Sequence, residues 1–121
     1  MRSEWQTHKG QQFFLCNYAN LENNELQTEV DDCDRLIMQE PAGSVLVLVD
    51  VNGVPPTRRN IGTFIGSVPH TQKNIRKTAV IGVGFSGQRK VLFDAIVRIT
   101  RAVNMMVFDD AEKAKDWLVG G

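Results

Sequence analysis

A glycine-rich segment is the first place in this sequence where residue spacing suggests a chemistry. Gly82, Gly84 and Gly87 form the pattern G-x-G-x-x-G between an apolar run and an amphipathic run. Such a loop lets the backbone approach a pyrophosphate at a helix start, and an acid roughly 20 residues further on binds the ribose. Asp109 stands at about that spacing. Because this pattern normally opens a sheet, whereas one strand follows it here, nucleotide binding is kept as the less favoured hypothesis.

Basic residues at two predicted helix starts suggest a broader anion site. Arg58 and Arg59 lie in one first turn and Arg89 and Lys90 in another, where positive charge opposes the helix dipole by about 0.3–1 kcal/mol per residue. Both helices follow parallel strands, so both start at the carboxyl edge of the sheet, where ligands of open α/β sheets bind. The alternative is that these are solvated charges. The candidate ligand or anion site comprises Asp50, Thr57, Arg58, Arg59, Gly84, Ser86, Gly87, Arg89 and Lys90.

The same edge offers little for catalysis. Asp50 and Asp109 have no histidine or cysteine nearby in the sequence, and Ser86 has no evident base. Asp50 suits the role of a strand-end carboxylate bonded to turn amides. We therefore expect no catalytic residues, no enzyme activity and no cofactor.

The cysteines and histidines do not suggest a metal centre. The two cysteines, Cys16 and Cys33, stand far apart in the sequence, and His8 and His70 are isolated. Two buried, reduced thiols are the expected arrangement.

Composition narrows the class of protein. The 121 residues carry a net charge of zero, 42% are hydrophobic and 23% are charged, which is typical of one globular domain over residues 1–121. Zero net charge argues against general nucleic-acid binding. No apolar run approaches the roughly 20 residues of a membrane span, and the start lacks a signal region, so we expect a cytoplasmic protein.

The segment Ser44–Gly53 is predicted to be the central strand. Its run of Val and Leu lacks polar alternation, which indicates a strand covered on both faces. Before it, Glu4–His8 and Gln12–Tyr18 read as a hairpin, and Asn20 can cap a helix. That helix places Leu26, Val30, Cys33 and Ile37 on one face. Its solvent face is predicted to comprise Glu22, Glu25, Glu29, Asp31, Asp32 and Asp34.

The second half predicts three more helices and two more strands. Thr57 caps a helix that Pro69 ends, in which Gly62 and Gly66 lower helix stability. Strands follow at Thr78–Gly82 and Asn104–Phe108. Between them, a helix from Ser86 turns Val91, Leu92, Ala95, Ile96 and Ile99 inward. Asp109 and Glu112 form a capping box for the last helix, which packs through Ala111, Ala114, Trp117 and Leu118.

This order predicts an α/β fold with a mixed, mostly parallel sheet, an N-terminal hairpin and helices on both faces. Three segments, Val47–Asp50, Thr78–Gly82 and Val107–Leu118, together with the element order, resemble the STAS domains, the sulphate transporter and anti-sigma-factor antagonist superfamily. The chain is most similar to the bacterial SpoIIAA-like branch, which is related in fold to CRAL-TRIO lipid-binding domains. Antagonist members carry a phosphorylated serine in an Asp-Ser-Ser-Gly stretch. Here that stretch is Val54–Arg59, in which only Thr57 offers a hydroxyl.

The resemblance implies a non-catalytic regulatory module that acts through a protein partner, with a second copy of the chain as one alternative. The other hypothesis is a carrier or sensor of a small amphipathic ligand such as a fatty acid. In that case the arginines hold the head group, and a lid formed by Ile61, Phe64, Ile65 and Val68 covers an apolar cavity. A cavity beneath Phe64 and Ile65 favours the carrier. A solid core with a flat charged face favours the protein-binding module.

Overall fold

Five strands form one mixed sheet whose strand order follows the sequence. The computed structural model describes residues 1–84, 87–100 and 104–120. The strands are β1 (Glu4–His8), β2 (Gln11–Asn17), β3 (Val45–Asp50), β4 (Ile75–Ile81) and β5 (Met105–Phe108). The helices are α1 (Asn23–Ile37), α2 (Arg58–Thr71), α3 (Gln88–Thr100) and α4 (Ala111–Val119), with a short 3-10 turn at Gln72–Asn74. β1 is antiparallel to β2, and the remaining pairs are parallel. The predicted fold class is confirmed.

The N-terminal hairpin turns where the sequence predicts. Lys9 and Gly10 take φ angles of +50° and +82°, the left-handed region that a tight two-residue turn needs. Trp5 lies opposite Phe14 across the hairpin, and their rings meet edge to face with centroids 5.1 Å apart. The edge strand β1 is thus held by a cross-strand aromatic pair.

The central strand β3 is buried on both faces, as predicted. Val45 and Val47 pack against α1 and the residues around it, whereas Leu46 and Leu48 pack under α4. Successive side chains of a strand point to opposite faces, so the sheet separates two layers. We call them the three-helix face, covered by α1, α2 and α3, and the α4 face.

Helix α4 lies close against its face of the sheet. Ala114 and Ala79 are both fully buried, and two small side chains let the helix approach β4. The Lys77 ammonium donates to the Trp117 carbonyl at 2.9 Å and lies 4.9 Å from the centre of the Trp117 ring. The predicted packing of Ala114, Trp117 and Leu118 is confirmed, whereas Ala111 is half-buried outside this cluster. The cap is Asp110, which accepts from the Glu112 amide at 3.1 Å, because the helix begins one residue later than expected.

The start of α1 differs from the prediction. Asn20 does not cap it: its φ is +63°, and its amide donates to the Asn52 carbonyl at 2.8 Å. The N-cap position, Glu22, makes no side-chain cap bond. Instead the amide of Asn23 donates to Oδ1 of Asn60 in α2 at 3.0 Å. The cap of α1 therefore comes from another helix.

The inward face of α1 is confirmed, since Leu26, Val30, Cys33 and Ile37 are all buried. Its acidic face is not uniformly solvated, however. Glu29 is only 6% exposed and accepts from the amide and hydroxyl of Ser3 at 2.9 and 2.6 Å. A buried carboxylate needs such partners, and here they come from the N-terminal segment.

Helix α2 begins as predicted but ends later. Thr57 accepts from the Asn60 amide at 3.2 Å, which confirms the cap. Pro69 does not end the helix, which continues to Thr71. A proline this near the C-terminus removes one backbone bond, and the buried Thr71 holds the last turn by donating to the Ser67 carbonyl at 3.4 Å.

Helix α3 buries only part of the face that the sequence predicts. Val91 and Ile99 are 66% and 65% exposed, whereas Ile96 is buried and Phe93 packs on the core. The aromatic ring of Phe93 therefore packs between α3 and the sheet. Of the other residues predicted for this segment, Ala95 is half-buried, and Ser86 and the side chain of Leu92 lie outside the described residues.

Replacing Asn60 tests how far the fold depends on its hydrogen bonds. Asn60→Ala leaves the Asn23 amide and the Pro55 carbonyl without the bonds that Asn60 makes to them at 3.0 and 2.9 Å. Since unpaired buried polar groups are costly, we expect the free energy of unfolding to fall by about 2–3 kcal/mol. Urea denaturation measures it. The exposed Gln39→Ala is the control, expected within about 0.5 kcal/mol of wild type; an equal effect of the two variants would contradict the assignment.

Candidate functional site

A cavity of about 150 Å³ lies between the three-helix face of the sheet and the helices above it. Two neighbouring rows of side chains form its floor, because alternate residues of parallel strands in register point to one face. The floor residues come from β2, β3, β4 and β5, and are Cys16, Val47, Val49, Thr78, Val80 and Met105.

The walls of the cavity are also mainly apolar. α2 contributes Ile61, Phe64 and Val68, and α3 contributes Phe93 and Ile96. The ring of Phe64 lies 5.9 Å from that of Tyr18. Near the start of α2 the lining includes Pro56, which is exposed, so the cavity reaches the surface there. Of the predicted lid residues, Ile61, Phe64 and Val68 line the cavity, whereas Ile65 is half-buried and does not.

Hydrogen bonds to α1 hold α2 above this space. Along one face of α2, polar side chains at spacings of three and four residues meet polar groups of α1. We call this set the polar seam. Its three bonds join Asn60 to Asn23 (3.0 Å), Thr63 to Gln27 (2.8 Å) and Ser67 to Asp34 (2.7 Å).

The polar seam explains why a space remains under α2. A helix that packs on a sheet through a full apolar face closes the gap, as α4 does on the opposite side. α2 turns its polar face to α1, its apolar face to the cavity, and Gly62 and Gly66 to solvent. Its position is therefore fixed from the side, and the space below it stays partly unfilled.

Asp34 is the charged side chain of the cavity wall. Among the described residues that line the cavity, no other carries a formal charge. Burial raises the pKa of Asp34 from 3.8 to about 6, and the hydrogen bond from Ser67 opposes part of that rise. Of the charges nearby, Asp31 raises the pKa further and His70 lowers it. The sequence predicts Asp34 on the solvent face of α1. That prediction is wrong, because Asp34 is half-buried in the cavity wall.

The thiol of Cys16 stays neutral at the cavity floor. Hydrogen bonding with the Cys33 thiol, and then burial, raises the pKa of Cys16. Burial likewise raises the pKa of Tyr18 beside it. Both cysteines are buried and free, as predicted. At neutral pH the Cys16 thiol and the Tyr18 hydroxyl offer a ligand weak hydrogen bonds and no charge.

The predicted anion site is not assembled at the cavity. Arg58 is exposed, the Arg59 guanidinium donates to Asn24 of α1, and the Lys90 ammonium pairs with Asp94 of its own helix at 2.6 Å. None of these three lines the cavity. Ser86 and the side chain of Arg89 lie outside the described residues.

The glycine-rich segment has a packing role at its first position. A Cβ on Gly82 would lie 2.4 Å from the Asn52 amide nitrogen, so that position requires glycine. Gly84 and Gly87 are exposed, with φ angles of +85° and +83°.

The two acids predicted near this edge have local partners. The Asp50 carboxylate accepts from the amide and the side chain of Asn52, both at 2.9 Å, which confirms its expected turn contacts. Asp109 pairs with Lys113 at 3.5 Å, and the predicted ribose contact has no further support.

In the part of the chain that the structure describes, no three His, Cys, Asp or Glu side chains cluster as a metal ion would require. Within the same residues, no helix combines the length and the apolar character needed to cross a membrane.

Comparisons with known proteins leave the function to be argued from geometry. No protein-family model matches the chain, and no curated protein or solved structure matches it significantly. The similarity to STAS domains therefore stays a prediction.

The sequence did contain a signal for the polar seam. Asn60, Thr63 and Ser67 recur at the three- and four-residue spacing of one helix face. This face lies beside the apolar residues of the predicted lid. A helix with adjacent polar and apolar stripes has two different neighbours. That pattern indicates a helix held at one side, and it would have directed attention to the acid of α1 at Asp34.

The raised pKa of Asp34 predicts a pH-dependent stability. Because the folded pKa of about 6 lies above 3.8, the folded state holds a proton that the unfolded state has lost, so stability falls as pH rises from about 4 to about 6. Asp34→Asn removes the titrating carboxyl and with it this fall in stability. We expect its stability relative to wild type to increase by about 1–2 kcal/mol across that range, a figure reduced for partial exposure.

Urea denaturation at a series of pH values measures this difference. Glu25→Gln removes an exposed carboxyl from the same helix and is the matched control, expected to change the pH profile far less. Parallel profiles for wild type and Asp34→Asn would contradict the assignment.

Proposed function

We propose that this protein binds a small, mainly apolar molecule in the cavity beneath α2. The observation that carries the proposal is the cavity of about 150 Å³ under Phe64, with a mainly apolar floor of strand residues. Concave, mostly apolar sites with a few polar groups are typical of small-molecule binding. A cavity at this place favours a carrier or sensor of a small ligand over a module with a solid core.

The size of the cavity limits the ligand. An apolar cavity of about 150 Å³ stays dry and accepts a molecule of the size of benzene. The apolar floor disfavours a strongly hydrated ligand, because a polar group that loses water there needs a hydrogen-bond partner. Compact aromatic or short aliphatic molecules therefore fit this site best.

The regulatory module acting through protein partners stays a prediction. It depends on the similarity to STAS domains, and the feature chosen to favour it was a solid core under a flat charged face. The two functions are compatible, since a sensor reports its ligand to a partner. Contacts of the described residues support the ligand-binding step.

The arrangement of α2 supports entry of a ligand from its side. Hydrogen bonds from Thr63 and Ser67 join it to α1, and two glycines on its exposed face lower helix stability by about 1 kcal/mol each relative to alanine. α2 packs on the hydrophobic core of its face through Phe64, whereas α4 packs through Ala114, Trp117 and Leu118. We therefore assign α2 as the element that moves when a ligand enters.

Filling the cavity with a side chain tests the proposal. Val49 is half-buried on the cavity floor, so the ring of Val49→Phe projects into the space. We expect benzyl alcohol, at about ten times its Kd, to raise the Tm of wild type by about 4 °C, since binding to the folded state stabilises it. The same alcohol is expected to leave the Tm of Val49→Phe unchanged. Differential scanning calorimetry and isothermal titration calorimetry measure both effects.

The control places the same ring on the opposite side of the sheet. Met106 is 48% exposed on the α4 face, so Met106→Phe is expected to bind benzyl alcohol like wild type. A cooperative thermal transition of unliganded Val49→Phe shows that this variant folds. No binding by wild type, or equal binding by wild type and Val49→Phe, would overturn the proposed function.

A further inference from the structure

The charge on the described lining of the cavity is negative. Of the described lining residues, Asp34 is acidic and none is lysine, arginine or histidine. A fatty acid or other carboxylate would therefore meet a carboxylate and no cation inside the cavity. The arginines predicted to hold such a head group, Arg58 and Arg59, do not line it.

The Asp34 carboxylate is arranged to accept a second hydrogen bond. Ser67 donates to Oδ1 at 2.7 Å, which fixes the orientation of the group at the wall. Oδ2 accepts no hydrogen bond from the described residues. A carboxylate beside an apolar space is poorly solvated, and a charged donor is the partner that compensates it best.

We propose that the ligand of this cavity carries a protonated amine, which pairs with the Asp34 carboxylate while its apolar body fills the space under Phe64. This inference rests on the proposed function and names its ligand class as small, apolar amines. Ser67 acts as a positioning residue, since its hydroxyl orients the carboxylate.

Neighbouring groups are consistent with this pairing. Asp31 on α1 contributes a second negative charge near Asp34, which also attracts a cation. His70 on α2 is exposed and affects Asp34 by charge, not by a hydrogen bond. No basic side chain among the described residues hydrogen-bonds to Asp34.

Three ligands that share a phenyl ring and differ in head group test the inference. Benzylamine is positively charged, benzyl alcohol neutral and benzoate negatively charged at neutral pH. Isothermal titration calorimetry well above pH 6 gives each Kd for wild type. We expect benzylamine to bind about tenfold more tightly than benzyl alcohol, because a hydrogen bond to a charged group exceeds a neutral one by about that factor, and benzoate to bind most weakly.

Asp34→Asn keeps an oxygen that accepts from Ser67 but removes the charge. We expect the ratio of the benzyl alcohol Kd to the benzylamine Kd to fall from about ten to about one in this variant. Ser67→Ala keeps the charge but removes the hydrogen bond that orients it, so the preference for the amine is expected to be smaller than in wild type and larger than in Asp34→Asn. Glu25→Gln, which removes an exposed carboxyl of α1 outside the cavity, is expected to match wild type.

The outcomes separate the two proposals. Tighter binding of benzylamine that depends on Asp34 supports both. Benzyl alcohol binding as tightly as benzylamine to wild type, or a preference that survives in Asp34→Asn, overturns the amine assignment and leaves the apolar site standing. Absence of binding by all three ligands overturns both. Should Asp34→Asn fail to fold, tighter binding of benzoate than of benzylamine to wild type overturns the amine assignment by itself.

Discussion

The architecture of the three-helix face depends on how α2 is held. Its bonds to α1, from Asn60, Thr63 and Ser67, run along one side of the helix. Each such bond contributes about 0.5–1.5 kcal/mol net, and Asn60 adds the cap of α1 and a bond to the Pro55 carbonyl. Because these contacts lie beside α2 and not beneath it, they set its distance from the sheet without requiring the space below to be filled.

That space has a free-energy cost. An enclosed empty cavity destabilises a protein by about 24 cal/mol per Å³, so about 3–4 kcal/mol is the upper bound for this cavity of about 150 Å³, which opens to the surface near Pro56. Domains of this size are stable by only about 5–15 kcal/mol. A bound ligand would restore the lost contacts, so the same geometry that weakens the empty protein supplies the driving force for binding. The tight packing of Ala79 under Ala114 on the α4 face shows that the chain can close a helix onto this sheet where small residues allow it.

The sequence predicted what depends on local patterns. The buried run of β3, the Lys9-Gly10 turn, the Thr57 cap and the inward face of α1 all follow from neighbouring residues, and all are present. The predictions were wrong where a distant segment of the chain supplies the hydrogen-bond partner. Glu29 looked solvated because Ser3 is 26 positions away, and the cap of α1 was missed because Asn60 belongs to another helix. For α3 the predicted burial of Ile96 is confirmed, but that of Val91 and Ile99 is wrong, because both fit a helical stripe and only tertiary packing selects Phe93 in their place.

Asp34 links the position of α2 to the occupancy of the cavity. The same carboxylate ends the polar seam through Ser67 and provides the charge of the cavity wall. A group that pairs with its second oxygen lowers the cost of keeping it ionised and so strengthens the acceptor that Ser67 uses. Given a cationic ligand, binding and the attachment of α2 to α1 are then coupled through one residue, and linkage requires the effect to be reciprocal.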